Sequence, residues 1–253
     1  MTQETTTIAL VTGANKGIGR AAAERFAGMG MTVLVAARDE QRGKDAAEAI
    51  RATGGDAHPI VLDVTDPATI RTAAAWTADR FGRLDVLVNN AGIAGVRGGQ
   101  TPGEVDLDKI RAVFETNFLG VIAVTDAFLP LLRRSSAARV VNVSSGVGSL
   151  HYMTDPAHYM AKLPARVGYP TSKTALNSLT VQYAKALAAD RILVNAVAPG
   201  GCATDFTKGL QLPFTITRTA AEGAEIAVRL ATIAPDADGP TGGFFDDNGP
   251  VPW

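Results

Sequence analysis

Tyr169 and Lys173 stand four residues apart, so a helix carries both on one face. A phenol with a pKa of about 10 is a poor acid or base at neutral pH. A neighbouring ammonium stabilises the phenolate and draws that pKa toward the working range. Such a pair alone is usually surface decoration. Here it follows a short apolar run, Arg139 to Val143, with a hydroxyl, Ser145, just beyond the run. That context makes it a candidate proton-transfer group. A second group is the turn Thr12-Gly13-Ala14-Asn15-Lys16-Gly17-Ile18-Gly19. Gly13 permits a tight turn, Gly17 lets the backbone approach a pyrophosphate, and Gly19 allows close helix packing. Amides at the helix start then face the anion.

The elements that must position these groups are legible as apolar runs. Ile8 to Thr12, Thr32 to Ala37, Ala57 to Leu62, Leu84 to Val88, Arg139 to Val143, Ile192 to Val197 and Gly243 to Phe245 read as strands. Between them, Gly17 to Met29, Gln41 to Thr53, Pro67 to Phe81, Leu107 to Leu132, Thr171 to Ala189 and Ala220 to Ala234 read as helices. The strands are nearly continuous in apolar residues, as in parallel strands buried on both faces. The alternation predicts an α/β fold, a doubly wound parallel sheet, in a single domain spanning 1–253. Ligands in such sheets sit beyond the carboxyl ends of the strands. Both candidate groups follow strands.

Composition narrows the function. Hydrophobic residues are 46% of 253, enough for a full core. Lys plus Arg is 24 and Asp plus Glu 25, a net charge of −1, which gives no general attraction to nucleic acid or an anionic membrane. Cys202 is the one cysteine, and His58, His151 and His158 are scattered, so no metal cluster is expected. No run of about 18 apolar residues is apparent, and the start of the chain lacks a basic segment followed by an apolar one. A cytoplasmic protein is the expectation. Gly is abundant at 26 and aromatics are few at 6%, which suggests that backbone meets a ligand.

The spacing Gly13-x-x-x-Gly17-x-Gly19 resembles that of the short-chain dehydrogenase/reductase family. So do Asp63-Val64, Asn89-Asn90-Ala91-Gly92, Asn117, Asn142-Val143-Ser144-Ser145, Tyr169-Pro-Thr-Ser-Lys173 and Pro199-Gly200. The resemblance runs from about residue 6 to the C-terminus and implies a Rossmann fold. It implies that Tyr169 gives a proton to a carbonyl oxygen, Ser145 positions that oxygen, and Lys173 also holds the nicotinamide ribose. Strand alternation and the family pattern favour Ser145 over Ser144. Asn117 would hold a water in a relay to Lys173; its bland reading is a buried amide satisfied by backbone. The turn residues Asn15, Lys16 and Ile18 join the cofactor contacts. Asp63 and Val64 would meet adenine, and Asn90, Ala91 and Gly92 would line the adenosine ribose. Pro199, Gly200 and Thr204 would meet the nicotinamide, and 201–218 would form a substrate lid.

An acid at the end of the second strand would favour an unphosphorylated ribose. The chain has Ala36-Ala37-Arg38 there, with Arg42 one turn on and Lys16 in the turn. These cations favour NADPH, although Asp39 is placed to pair with Arg38. Ser145 and Tyr169 are 24 positions apart, more than the dozen or so usual in the family. The inserted segment, 150–165, resembles in position the insertion of monomeric carbonyl reductases. Its Leu150, Tyr152, Met153, Tyr159, Met160 and Leu163 are expected to fold over the helix beginning near Leu107 and the one bearing Tyr169, giving a monomer rather than a dimer. The activity implied is NADPH-dependent reduction of a small-molecule aldehyde or ketone. Two rivals are reduction of a conjugated C=C bond and a catalytically silent NADPH-binding module. The intact Asn117, Ser145, Tyr169 and Lys173 argue against the silent module.

Overall fold

The computed structural model describes residues 6–95, 98–208, 215–234 and 239–253. Eight strands form one sheet in the order β3-β2-β1-β4-β5-β6-β7-β8. They are β1 (Ile8–Thr12), β2 (Thr32–Ala37), β3 (Asp56–Val61), β4 (Val86–Asn89), β5 (Arg139–Val143), β6 (Leu193–Val197), β7 (Phe244–Asp246) and β8 (Gly249–Pro250). All neighbours are parallel except β7 and β8, a short hairpin whose first strand is the expected run at Gly243 to Phe245 and whose second, β8, no apolar run announces. The helices are α1 (Gly17–Gly28), α2 (Glu40–Ala52), α3 (Pro67–Phe81), α4 (Leu107–Phe114), α5 (Gly120–Leu132), α6 (Leu150–Thr154), α7 (Tyr169–Ala186) and α8 (Ala220–Ala231).

Alternate residues of each strand feed two apolar layers. Ala9, Val11, Val33, Val35, Val141 and Val197 pack with Phe26 of α1, Ile50 of α2 and Ile226 of α8. Ile8, Leu10, Leu34, Leu87, Val140 and Val194 pack with Ile70 of α3 and with Phe128 and Leu132 of α5. Both faces are therefore covered, which is why the strands are continuous in apolar residues. The order reverses between β1 and β4, and the glycine turn lies at the carboxyl end of β1, at that switch point.

A set of buried amides and hydroxyls in this core pair with one another. Asn89 Nδ2 donates to Thr125 Oγ1 at 3.1 Å and to Asn142 Oδ1 at 2.9 Å. Asn142 Nδ2 donates to Thr180 Oγ1 at 2.9 Å. The chain of bonds joins α5, β4, β5 and α7 just below the candidate site. Each is worth about 1 kcal/mol made, and more is lost if one partner is left stranded.

The stretch Leu107–Leu132 is not one regular helix. Between α4 and α5, Glu115–Leu119 forms a π-helical turn that carries the buried Asn117. Single π turns of this kind are frequent at functional sites. The same stretch is long and apolar enough, at mean hydropathy 1.5, to cross a membrane by length and composition. This corrects the sequence expectation, because polar residues such as Asn117 and Thr125 interrupt an apolar run without lowering the average much. Val113, Val124, Phe128, Leu131 and Leu132 from it are core residues.

The inserted segment folds as α6 and a 3-10 turn, Tyr159–Lys162. It packs toward the C-terminus of the chain. Ser149 Oγ donates to Pro252 O at 2.5 Å, His151 N–H donates to Trp253 O at 3.0 Å, and Tyr152 joins a cluster with Ala196, Ala198, Phe244 and Val251. Leu107 and Leu119 on the long helical stretch remain exposed. The expected cover over the helix pair is therefore not what the segment provides. The tail offered it both apolar area and backbone acceptors, so a monomer no longer follows from that cover.

Candidate active site

The turn after β1 is built from backbone. Gly13 and Gly17 adopt φ of 65° and 58°, the left-handed region where a side chain is strained. Lys16 precedes α1 without a side-chain cap, and the first turn of the helix has no acidic residue. The leading N–H groups are thus available to an anion. A Cβ on Gly19 would run into Asn90 Nδ2 and lie 2.7 Å from Gly13 O, so only glycine lets α1 start so close to the end of β4. Asn90 Nδ2 donates to Thr12 O at 2.8 Å, and the N–H groups of Asn90 and Ala91 both donate to Thr12 Oγ1 at 3.0 Å. The Asn90 amide is spent on holding the turn rather than on reaching outward. Thr204 Cγ2 lies 3.6 Å from where a Cβ of Gly17 would be, which brings the segment after β6 over the turn.

Beside the turn is a cleft of about 320 Å³ lined by Asn15, Lys16, Arg20, Arg42, Asp45 and Ala46. Lys16 and Arg42 both line it. Arg38 is exposed and is not part of this lining. Asp39 does not pair with Arg38. It accepts the Arg42 N–H at 2.9 Å as the cap of α2, and its other oxygen is 3.6 Å from Arg42 Nε. Lys16 Nζ is bound 3.0 Å from Asp205 Oδ2, which holds that carboxyl below the usual carboxylate range. Asp63 Oδ1 accepts from the N–H and hydroxyl of Thr65 at 2.9 and 2.8 Å, while Asp66 performs the helix capping of α3. Val64 packs against Gly120, where a Cβ would lie 2.8 Å from Val64 O.

Beyond β5, Ser144 and Ser145 divide the work. Ser144 is buried and donates to Asn177 Oδ1 at 2.6 Å. Ser145 instead lies close enough to the Tyr169 hydroxyl to favour its ionised form. Lys173 Nζ donates to Val143 O at 2.7 Å and lies 5.7 Å from the centre of the Tyr169 ring. Burial pushes the Tyr169 hydroxyl up to about 12, with the nearby Ser145 hydroxyl pulling the other way, and pushes Lys173 down to about 8. The ammonium therefore does not draw the phenol toward neutrality, contrary to the sequence reading. It is aimed at Val143 O, and desolvation of the phenolate wins. At neutral pH Tyr169 is a protonated donor and Lys173 is mostly a cation.

Asn117 is fully buried. Its Oδ1 accepts the Ile93 N–H at 2.8 Å; its Nδ2 donates to Ile93 O at 2.9 Å and to Ser172 Oγ at 3.1 Å. Both donors are consumed, and Oδ1 keeps one lone pair. A Cβ on Gly92 would be 3.2 Å from Asn117 Oδ1 and 3.7 Å from Lys173 Nζ, so both atoms face one small space.

The family profile described as short chain dehydrogenase matches residues 7–213. The chain belongs to the short-chain dehydrogenase family. It is 39% identical over 237 residues to the short-chain dehydrogenase anuI of Penicillium roqueforti, covering 92% of this chain and 91% of that one. It is 33% identical over 284 residues to carbonyl reductase [NADPH] 1 of Mus musculus, covering 97% and 98%. Among solved structures, the NADPH-bound carbonyl reductase from chicken fatty liver superposes with a TM-score of 0.82 at 27% identity, covering 98% of each chain.

For this short-chain dehydrogenase the structure brings Asn117, Ser145, Tyr169 and Lys173 together, and sets the glycine turn, Asn90–Gly92 and Thr204 around the switch point. Pro199 is buried and Gly200 follows at φ 76°, just past β6. The middle of the expected lid, 209–214, lies outside the described residues. Two residues escaped the sequence reading. Arg20 lines the cationic cleft, yet in sequence it is an ordinary helix residue, and it pairs with Glu24. Gln100 binds the backbone of Tyr169 across 69 positions, for which no periodicity gives a signal.

Proposed function

We propose that the protein reduces an aldehyde or ketone to an alcohol, with NADPH as the reductant. The observation that carries this reading is the Tyr169 phenol set beside the buried Lys173 on α7, with the Ser145 hydroxyl close by past β5, at the carboxyl end of the sheet. NADPH, when bound, supplies the hydride to the carbonyl carbon. The chain's features fit that cofactor: a left-handed glycine turn before an uncapped helix start for the pyrophosphate, and Lys16, Arg42 and Arg20 around a cleft for the 2′-phosphate. Asp63 and Val64 serve the adenine, Asn90, Ala91 and Gly92 the adenosine ribose, and Pro199, Gly200 and Thr204 the nicotinamide end.

Tyr169 holds its proton at neutral pH and releases it to the carbonyl oxygen as negative charge develops there. Ser145 donates a hydrogen bond to the same oxygen and fixes its distance from Tyr169. Lys173 holds the nicotinamide ribose, and its positive charge favours the phenolate left behind. Asn117 Oδ1 keeps a lone pair for a water that returns a proton through Lys173. On the substrate side, Met160 and Tyr152 lie against Gly146, and the Phe206 ring is 5.5 Å from the Tyr169 ring. These walls suit a substrate with an apolar, ring-bearing body. The likeness to carbonyl reductases supports the same choice.

The test is NADPH oxidation against a panel of ketones, aldehydes and conjugated enones, with the products identified. Alcohols are expected. Saturated ketones from the enones would transfer the assignment to C=C reduction, and no turnover on any panel would leave a binding module.

A further inference from the structure

We propose that Gln100 is a positioning residue for Tyr169, setting where the phenol stands by gripping the backbone on which it is mounted. The proposal rests on the reading of Tyr169 as the proton donor. Tyr169 is the first residue of α7, and its N–H is one of those a helix start leaves without an internal partner. The preceding residue, Gly168, has no side chain to cap it. Gln100 Oε1 accepts that N–H at 2.9 Å. Gln100 Nε2 donates to Ala94 O at 2.9 Å, and Gln100 O accepts the Val167 N–H at 2.9 Å. The partners dictate which end of the amide is oxygen, since Tyr169 offers only a donor and Ala94 only an acceptor.

The socket is cut to this side chain. Gln100 is 4% exposed. A Cβ on Gly168 would collide with Gln100 Oε1, and one on Gly95 would lie 2.5 Å from Nε2, with Gly95 at φ 78°. The other side of the Tyr169 peptide is held as well. Tyr169 O accepts from Ser172 Oγ at 2.7 Å, and Ser172 Oγ accepts from Asn117 Nδ2, which grips Ile93. Two side-chain amides thus fasten Tyr169, before and after, to the same loop past β4. A proton donor must stay within hydrogen-bond reach of the carbonyl oxygen, and small misplacements cost rate steeply.

The test is a double-mutant cycle on the full-length enzyme, combining Gln100→Met with Tyr169→Phe and measuring kcat on the best carbonyl substrate and the Kd of NADPH. Gln100→Asn, which withdraws the amide by one methylene, carries the same cycle if Gln100→Met does not fold. With Tyr169 present, kcat is expected to fall at least about tenfold while the NADPH Kd moves less than about twofold. In the Tyr169→Phe background the same substitution should change the residual rate by less than about twofold, because no phenol hydroxyl remains to be misplaced. Equal losses in both backgrounds would overturn the positioning role and leave Tyr169 as the donor. A Tyr169→Phe enzyme that keeps its turnover would instead overturn the reading of the site itself.

Discussion

The nucleotide side and the proton-transfer side of this site are built by opposite means. At the carboxyl ends of β1 and β2 the recognition elements are backbone amides and solvated cations. Lys16 and Arg42 are more than half exposed, and their ion pairs with Asp205 and Asp39 are surface pairs of small energetic consequence. At the end of β5 the working groups are desolvated, and burial moves both Tyr169 and Lys173 from their ordinary ranges. The first region binds a charge that arrives with its ligand. The second stores the cost of keeping a charge out of water, which is what lets proton affinities change during a reaction. Substitutions should therefore act on binding alone in one region, and on turnover and stability in the other.

The largest effect belongs to Tyr169→Phe. Turnover should fall by about 10²–10⁴-fold, the usual worth of a positioned acid, while the NADPH Kd measured by titration stays nearly constant. Comparable loss in both would merge the two regions.

Replacing both Lys16 and Arg42 by Ala comes next. At about 1.5 kcal/mol or more for each charged contact, the NADPH Kd should rise by at least about a hundredfold, with NADH binding changed little. Equal weakening of both cofactors in parallel titrations would show that the cleft does not read the 2′-phosphate. The same double substitution should leave the melting temperature nearly unchanged.

Lys173→Met sharpens the contrast through stability. Its folded pKa, about 8, lies below the ordinary value of 10.5, so the unfolded chain binds more protons between those limits. Wild-type stability attributable to this group should rise as pH increases from about 8 toward 10.5, and its charge burdens the fold below about 8. Denaturant titration at pH 7 should find Lys173→Met more stable than wild type by about 2 kcal/mol, after allowing for the lost bond to Val143 O, yet nearly inactive. A destabilised variant would mean that Lys173 is not carrying a desolvation penalty. In the wild type, reductive kcat/KM should decline as pH rises through about 8 with the loss of that charge.

The smallest effect is expected from Asp205→Asn. It frees Lys16 from an exposed pair, and the NADPH Kd should tighten by no more than about fivefold with no change in melting temperature. A loss of affinity would make Asp205 a cofactor contact rather than a competitor for Lys16.

Much of this division was visible in the chain itself. The glycine turn is legible because Gly13, Gly17 and Gly19 each answer a local backbone demand, and local demands leave local patterns. Tyr169 and Lys173 share a helix face, and their place after a strand with Ser145 upstream is what marks them. Strand alternation sends Ser144 and Ser145 to opposite sides, and the family pattern is what favours Ser145; Ser144 is the one buried against Asn177. What the chain hides is set by long-range packing. Gln100 reaches Tyr169, and Arg20 reaches the cleft, only after the sheet has formed. The inserted segment's apolar residues suggest burial, yet Tyr152 alone of them packs with the cluster that includes Phe244 and Val251, while Leu150 and Tyr159 stay exposed. The pKa of Tyr169 depends on a contest between desolvation and the direction of Lys173 Nζ, a direction that long-range packing sets.

The central claim is that hydride and proton are delivered to a carbonyl group. The most direct measurement uses NADPH deuterated at the transferable C4 position and a substrate bearing a ketone conjugated to a C=C bond. NMR of the product then locates the label. Deuterium on the carbinol carbon, with its appearance suppressed in Tyr169→Phe, is the predicted result; deuterium on the β-carbon of a saturated ketone would contradict the account.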